Sequence, residues 1–148
     1  MKLKILHYES SWKFSIFFSN SGPGDDVIIT DYGVYSIPKL SMTHDTAEAV
    51  CRVSGGHLAV LESRQEFDSL EPHVPDSEYH RIGGRDVTST LNFIWVTKGL
   101  KFSETFTKWA GGRPVSVNSN PNHRCVSIKN QFWVDVVCDI NYPFVCEY

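Results

Sequence analysis

The residues whose types could do chemistry fall into two groups, the cysteines and a polar cluster in the last third of the chain. Cys51, Cys125, Cys138 and Cys146 could bind metal, carry redox chemistry or close disulfides. No CxxC spacing occurs, which argues against a zinc ribbon or a thioredoxin-like site. HExxH is absent as well, and His7, His44, His57, His73, His80 and His123 contain no i, i+4 pair. Two structural disulfides are therefore the expectation, and they imply an oxidising, secretory compartment. Count alone leaves three pairings open.

The second group lies in Ala110 to Asn122 (AGGRPVSVNSNPN) and just beyond it. The stretch has no helix or strand period, and long structureless loops of this kind are usually functional or mobile. Asn118, Asn120 and Asn122 could exchange hydrogen bonds with hydroxyl groups, and they equally suit turns. No Gly-rich phosphate loop, nucleophile elbow or paired catalytic motif is visible, so an enzyme is not expected. The chain has 14 Lys+Arg against 17 Asp+Glu, a formal net charge of −3, and lacks the basic footprint of a nucleic-acid binder. No apolar run approaches the roughly 18 residues of a spanning helix.

The elements that must position these residues are legible in outline. Residues 1–31 read as an N-terminal segment ahead of the domain. Met1-Lys2-Leu3-Lys4 suits a signal n-region, but His7, Glu9 and Lys13 interrupt the next stretch, and Phe14 to Phe18 is short for an apolar h-region. The segment is either a degenerate signal region or simply chain that precedes the domain. Ser19 to Asp26 is a breaker-rich linker. Val27 to Ile29 and Tyr32 to Ile37 read as strands.

Ser41 to Gly56 reads as a helix with Thr43 or Asp45 as N-cap, and Asp45 with Glu48 has capping-box spacing. Ala47, Val50, Cys51 and Ser54 share its inward face. His57 to Leu61 is a buried extended run. Ser63 and Glu66 form a second capping box, opening a helix that Pro72 and Pro75 limit. Strands are expected at Cys125 to Ile128, Phe132 to Val137 and Phe144 to Tyr148, with Asn130-Gln131 turning the first pair. That register sets Cys125 opposite Val136 and leaves Cys138 a diagonal neighbour, slightly too far for a disulfide. Either one cysteine leaves the ladder or the turn is longer. Two early helices and a strand-rich second half indicate α+β.

From Tyr32 to Tyr148 the chain resembles the C-type lectin-like domain, most closely its secreted arthropod members. The resemblance rests on Ala47, Cys51, Gly55-Gly56-His57-Leu58-Ala59 and Ser63, then Glu66-Phe67. Arg81-Ile82-Gly83-Gly84 stands at the family's W-I-G-L position with the Trp lost. Trp95, Gly99 and Trp109 come next. Trp133-Val134-Asp135 leads to Cys138, and Phe144-Val145-Cys146-Glu147 ends the pattern. The resemblance implies a domain over 32–148 with Cys51–Cys146 and Cys125–Cys138 paired.

It also implies a calcium ion bridging protein and sugar, held by an E-P-N or Q-P-D triplet, a later Glu and the Asn and Asp of W-N-D. The triplet position here reads Arg113-Pro114-Val115, with the family's cis-proline kept and its oxygens gone. His123 stands for the later Glu and Val134 for the Asn, so only Asp135 remains as a metal ligand. Calcium takes about 6–8 oxygens, which disfavours it as a cofactor here. Asn120-Pro121-Asn122 imitates the triplet at a different distance from Trp109. Arg113 either pairs with Asp135 in the vacant position or points into solvent. Trp109 and Trp133 are expected in the core, with partial exposure of Trp133 retained as a stacking option.

The resulting expectation is a secreted, non-catalytic, calcium-independent glycan-binding protein, its partner a glycan or glycoprotein on a cell or microbial surface. The expected contacts are Arg113, Pro114, Val115, Asn118, Asn120, Asn122, His123, Trp133 and Asp135. The alternative is a protein-binding module using the same loop face, which Val115 and Val117 favour.

Overall fold

The computed structural model describes residues 26–116 and 118–148, together with the backbone of strands Leu3–Leu6 (β1) and Ser15–Phe18 (β2), which pair antiparallel. The remaining linker and signal readings, and Val117, lie outside the described residues. Within them, two small sheets and two helices enclose an aromatic core. A four-stranded sheet runs in the order Asp26–Ile29 (β3), Val34–Ile37 (β4), Cys146–Glu147 (β11), His57–Leu58 (β5). A five-stranded sheet runs Phe132–Val137 (β10), His123–Lys129 (β9), His80–Asp86 (β6), Phe93–Trp95 (β7), Leu100–Lys101 (β8). β3 pairs with β4 and buries Ile28 in the core, so the first sheet begins before Tyr32.

The helix His44–Val53 (α1) is capped by Thr43, whose side chain accepts the Thr46 N–H. The Asp45–Glu48 box does not form. Glu48 instead reaches sideways to accept the Leu58 N–H at 2.8 Å and Arg52 Nε at 2.7 Å, which fastens α1 to β5. Ala47 and Cys51 are the buried side of α1, as their spacing requires. The helix Arg64–Leu70 (α2) opens with the Ser63–Glu66 capping box fully made and buries Phe67 and Leu70. A 3-10 turn, Glu71–His73, carries Pro72 just past its end.

β6 is not evident as a strand from residue type, because Gly83-Gly84 reads as a break. It is central, and its glycines make room for neighbours. A Cβ on Gly83 would stand 2.9 Å from the Leu58 carbonyl oxygen, and one on Gly84 would stand 2.4 Å from the Phe102 ring. Trp133 and Trp95 meet edge to face at 5.3 Å, with Phe102 5.1 Å from Trp133 and Phe67 6.2 Å from it. These rings, with Val60, Leu61, Ile82 and Val126, form the main core.

Arg81, at the position of the missing Trp, is fully buried. It spans the gap with donors instead of a ring. Its Nε donates to the Met42 carbonyl at 3.0 Å, and Nη2 donates to the carbonyls of Val137 and Cys138 at 3.1 and 3.0 Å and to that of Ile140. The guanidinium also lies 5.0 Å from the Tyr142 ring centroid. Burial lowers its pKa to about 10.

Both disulfides form with the pairing the resemblance implies. Cys51–Cys146 ties α1 to β11 and Cys125–Cys138 ties β9 to the chain after β10. Asn130 and Gln131 turn β9 into β10 with φ of 49° and 67°, the left-handed pair of a tight hairpin. Val136 faces Cys125, then a bulge between Val136 and Val137 takes Cys138 out of the ladder, bringing the two Cα atoms to 5.2 Å. Of the two alternatives left open by the cysteine spacing, a cysteine leaving the ladder is the one adopted.

Removing the longer bridge with Cys51→Ala and Cys146→Ala together lowers unfolding free energy by about 2–5 kcal/mol. A urea titration under reducing-agent-free conditions measures it. Buried His44 gives a pH signature. Burial, then the charges of Arg81 and Arg85, depress its pKa from 6.5 to about 4. Its contribution is complete above pH 6.5 and is lost as pH falls through about 4, at no more than about 1.4 kcal/mol per pH unit. Glu147, raised by burial, acts with the opposite sign, so the comparison of wild type with His44→Gln isolates the imidazole. The stability of wild type relative to the variant should fall as pH drops from 6.5 toward about 4.

Candidate functional site

The expected binding region is held at three places. At its start, Trp109 bridges to Trp133 as a parallel pairing. The Ala110 N–H donates to the Trp133 carbonyl at 2.9 Å and the Trp133 N–H to the Lys108 carbonyl at 2.7 Å. At its end stands the Cys125–Cys138 bridge. Between them the Asp135 side chain, fully buried on β10, organises the loop.

Each Asp135 carboxylate oxygen has a partner. Arg113 Nη1 donates to Oδ1 at 3.1 Å and, through the same nitrogen, to the Asp135 main-chain carbonyl at 3.0 Å. The Val115 N–H donates to Oδ2 at 2.9 Å. His123 Nδ1 lies 3.4 Å from Arg113 Nη1 and 4.0 Å from Oδ2. The Arg113–Pro114 peptide is cis, in keeping with the resemblance. Of the two orientations open to Arg113, the paired one is therefore adopted. The contact is not a two-pronged guanidinium–carboxylate fork, because the amide of Val115 occupies the second oxygen.

The remaining residues separate. Asn120 makes a turn, its Oδ1 accepting the Asn122 N–H at 3.3 Å, while Asn118 and Asn122 are exposed at the loop surface. Trp133 is fully buried, which removes it as a stacking platform. The alternation of β10 sets it inward beside Trp95, and partial exposure does not occur. Trp109 is half-buried between Phe93 at 5.0 Å and Phe102 at 5.8 Å.

The residues at this position do not fit a calcium ion. A guanidinium sits on the Asp135 oxygens, Val115 and Val134 offer no side-chain oxygen, and His123 offers nitrogen, whereas calcium takes oxygens and needs carboxylates to balance it. Among the described residues, no three His, Cys, Asp or Glu side chains gather into a group that could hold a metal.

Sequence reasoning missed a second set of groups. A cleft of about 220 Å³ opens beside Trp109 and Pro114 and is bordered by residues from β7, β8 and the turns around them. Its signal is present as the aromatic segments Thr90 to Trp95 and Phe102 to Trp109, whose lack of a period hides which side chains converge.

Comparison with known proteins gives the class. The sequence model of the Lectin C-type domain matches residues 40–148, and the chain belongs to that family. It is 27% identical over 120 residues to a snaclec coagulation factor IX-binding protein chain of Protobothrops flavoviridis, covering 74% of this chain and 86% of that one. It is 28% identical over 127 residues to salivary C-type lectin 2 of Aedes albopictus, covering 76% and 82%. Among solved structures, the carbohydrate-recognition domain of the mouse scavenger receptor C-type lectin superposes with a TM-score of 0.73 at 25% identity, covering 86% of this chain and 94% of that one.

Truncating Arg113 leaves a buried carboxylate with one partner fewer. Arg113→Ala should cost about 1–3 kcal/mol, and the Val115 amide should exchange with solvent faster than in wild type. Thermal unfolding and amide hydrogen exchange report the two effects.

Proposed function

We propose that this chain is an extracellular, non-catalytic recognition protein that binds glycans without calcium, on the face carrying the loop from Ala110 to Arg124. The observation that carries the reading is the Arg113 guanidinium on the Asp135 oxygens. It places a permanent positive charge where the resemblance would put a metal ion, and it holds the loop in shape with bonds internal to the chain. Binding then rests on hydrogen bonds and apolar contact. The two disulfides suit an oxidising compartment, and among the described residues no helix is long and apolar enough to cross a membrane. The partner is a glycan or glycoprotein on a cell or microbial surface.

A second reading, a protein ligand on the same face, is supported by the relative named for binding a coagulation factor and by Val115, a half-buried apolar residue in the loop.

Calorimetric titration with calcium, followed by a glycan array with and without EDTA, separates the readings. The expected result is no calcium heat, an unchanged Tm, and glycan retention that EDTA leaves intact. A calcium-dependent rise in Tm overturns the metal-free mechanism, and an array without retained glycans favours the protein ligand.

A further inference from the structure

The cleft beside the loop is built differently from the loop tip. Its floor is aromatic, formed by Phe93, Phe102 and the half-buried Trp109. Its rim is polar, with the Ser103 and Thr107 hydroxyls, the Asn92 amide and the Lys101 ammonium. The two hydroxyls have no hydrogen-bond partner among the described residues, and the Asn92 amide uses only Nδ2, on Thr90 Oγ1 at 2.8 Å. Pro114 forms part of the wall, so the same loop segment that seats Arg113 also bounds this space.

The opposite edge is held by a second buried carboxylate. Asp86 is fully buried at the end of β6 and accepts the Thr88 and Leu91 N–H groups at 3.2 and 2.9 Å. It fixes a turn in which Ser89 and Leu91 have φ of 58° and 63°. A branched side chain such as Leu seldom adopts that region, and conformations of this kind persist where surrounding bonds over-determine them, often at ligand sites. Arg124 Nη1 donates to Ser89 Oγ, joining this turn to the end of the long loop.

We propose that this cleft is the seat of a single pyranose ring, bound by its C–H face against the aromatic floor and by its hydroxyls at the rim. The inference rests on the glycan-binding reading and gives it a location. Sites for drug-sized molecules run to about 300–1,000 Å³, so a cleft of about 220 Å³ suits one ring with the rest of the glycan leaving toward solvent. A mostly apolar surface with a few convergent donors and acceptors is the general form of a small-molecule site. Asn92, Ser103 and Thr107 set specificity by hydrogen bonding, and Trp109 supplies contact area.

The test is an amide NMR titration of the full chain in EDTA with methyl β-D-galactopyranoside and, separately, methyl β-D-glucopyranoside. At least one should bind with millimolar affinity and move signals at residues 91–93, 101–103 and 107–109. Thr107→Val and Ser103→Ala, both at exposed positions, should each weaken it about 2–10-fold without altering Tm. Signals that move only within residues 113–124, or affinities unchanged in both variants, overturn the cleft and leave metal-free glycan binding standing. No movement with either sugar at its solubility limit overturns the cleft as well, and the array then judges the wider reading alone. Binding that appears only after calcium is added overturns both.

Discussion

A carboxylate with no access to water must find its partners within the chain, and Asp135 imposes that condition on everything above β10. Leaving such a group unpaired costs more than any one loop contact returns, so the loop folds around it. The Arg113 side chain and the Val115 amide come to it from either side of Pro114. The loop thereby gains a fixed interior anchor midway between the Trp109 pairing and the cysteine clamp. A segment without helix or strand period acquires a defined path because the oxygens of one buried side chain must be hydrogen-bonded.

Much of this was readable because local rules and tertiary demands agreed. The Ser63–Glu66 cap, the Asn130-Gln131 turn and the facing of Val136 with Cys125 arise from residue type and alternation. The cysteine pairing came from the family resemblance. Disagreement arose where a tertiary contact outweighed local preference. Glu48 left the helix start because the Leu58 amide needed an acceptor. Gly83 and Gly84 sit inside a central strand because a carbonyl and an aromatic ring press against them. Convergence of Asn92, Ser103 and Thr107 on one cleft depends on how β7 and β8 lie against the loop, and no spacing along the chain encodes that.

The two arginines at positions of family departure solve related problems. Arg113 stands on the oxygens of Asp135, and Arg81 fills the place of an indole by donating to a ring of main-chain carbonyls. In each case a planar cation replaces something of different chemistry while keeping neighbouring segments together. Arg81 holds the approach to α1 against the corner just past β10, which is the corner Cys138 also secures. The frame and the loop therefore share one boundary, and a disturbance at either would be felt at the other.

The bridge between Cys51 and Cys146 has a consequence for how the chain responds to cleavage. The stretch between Ala110 and Asn122 separates Cys51 from the three other cysteines along the chain. A protease that severs this stretch once produces two fragments that stay covalently joined. The molecule would be nicked rather than divided, migrating as one species until a reductant parts it.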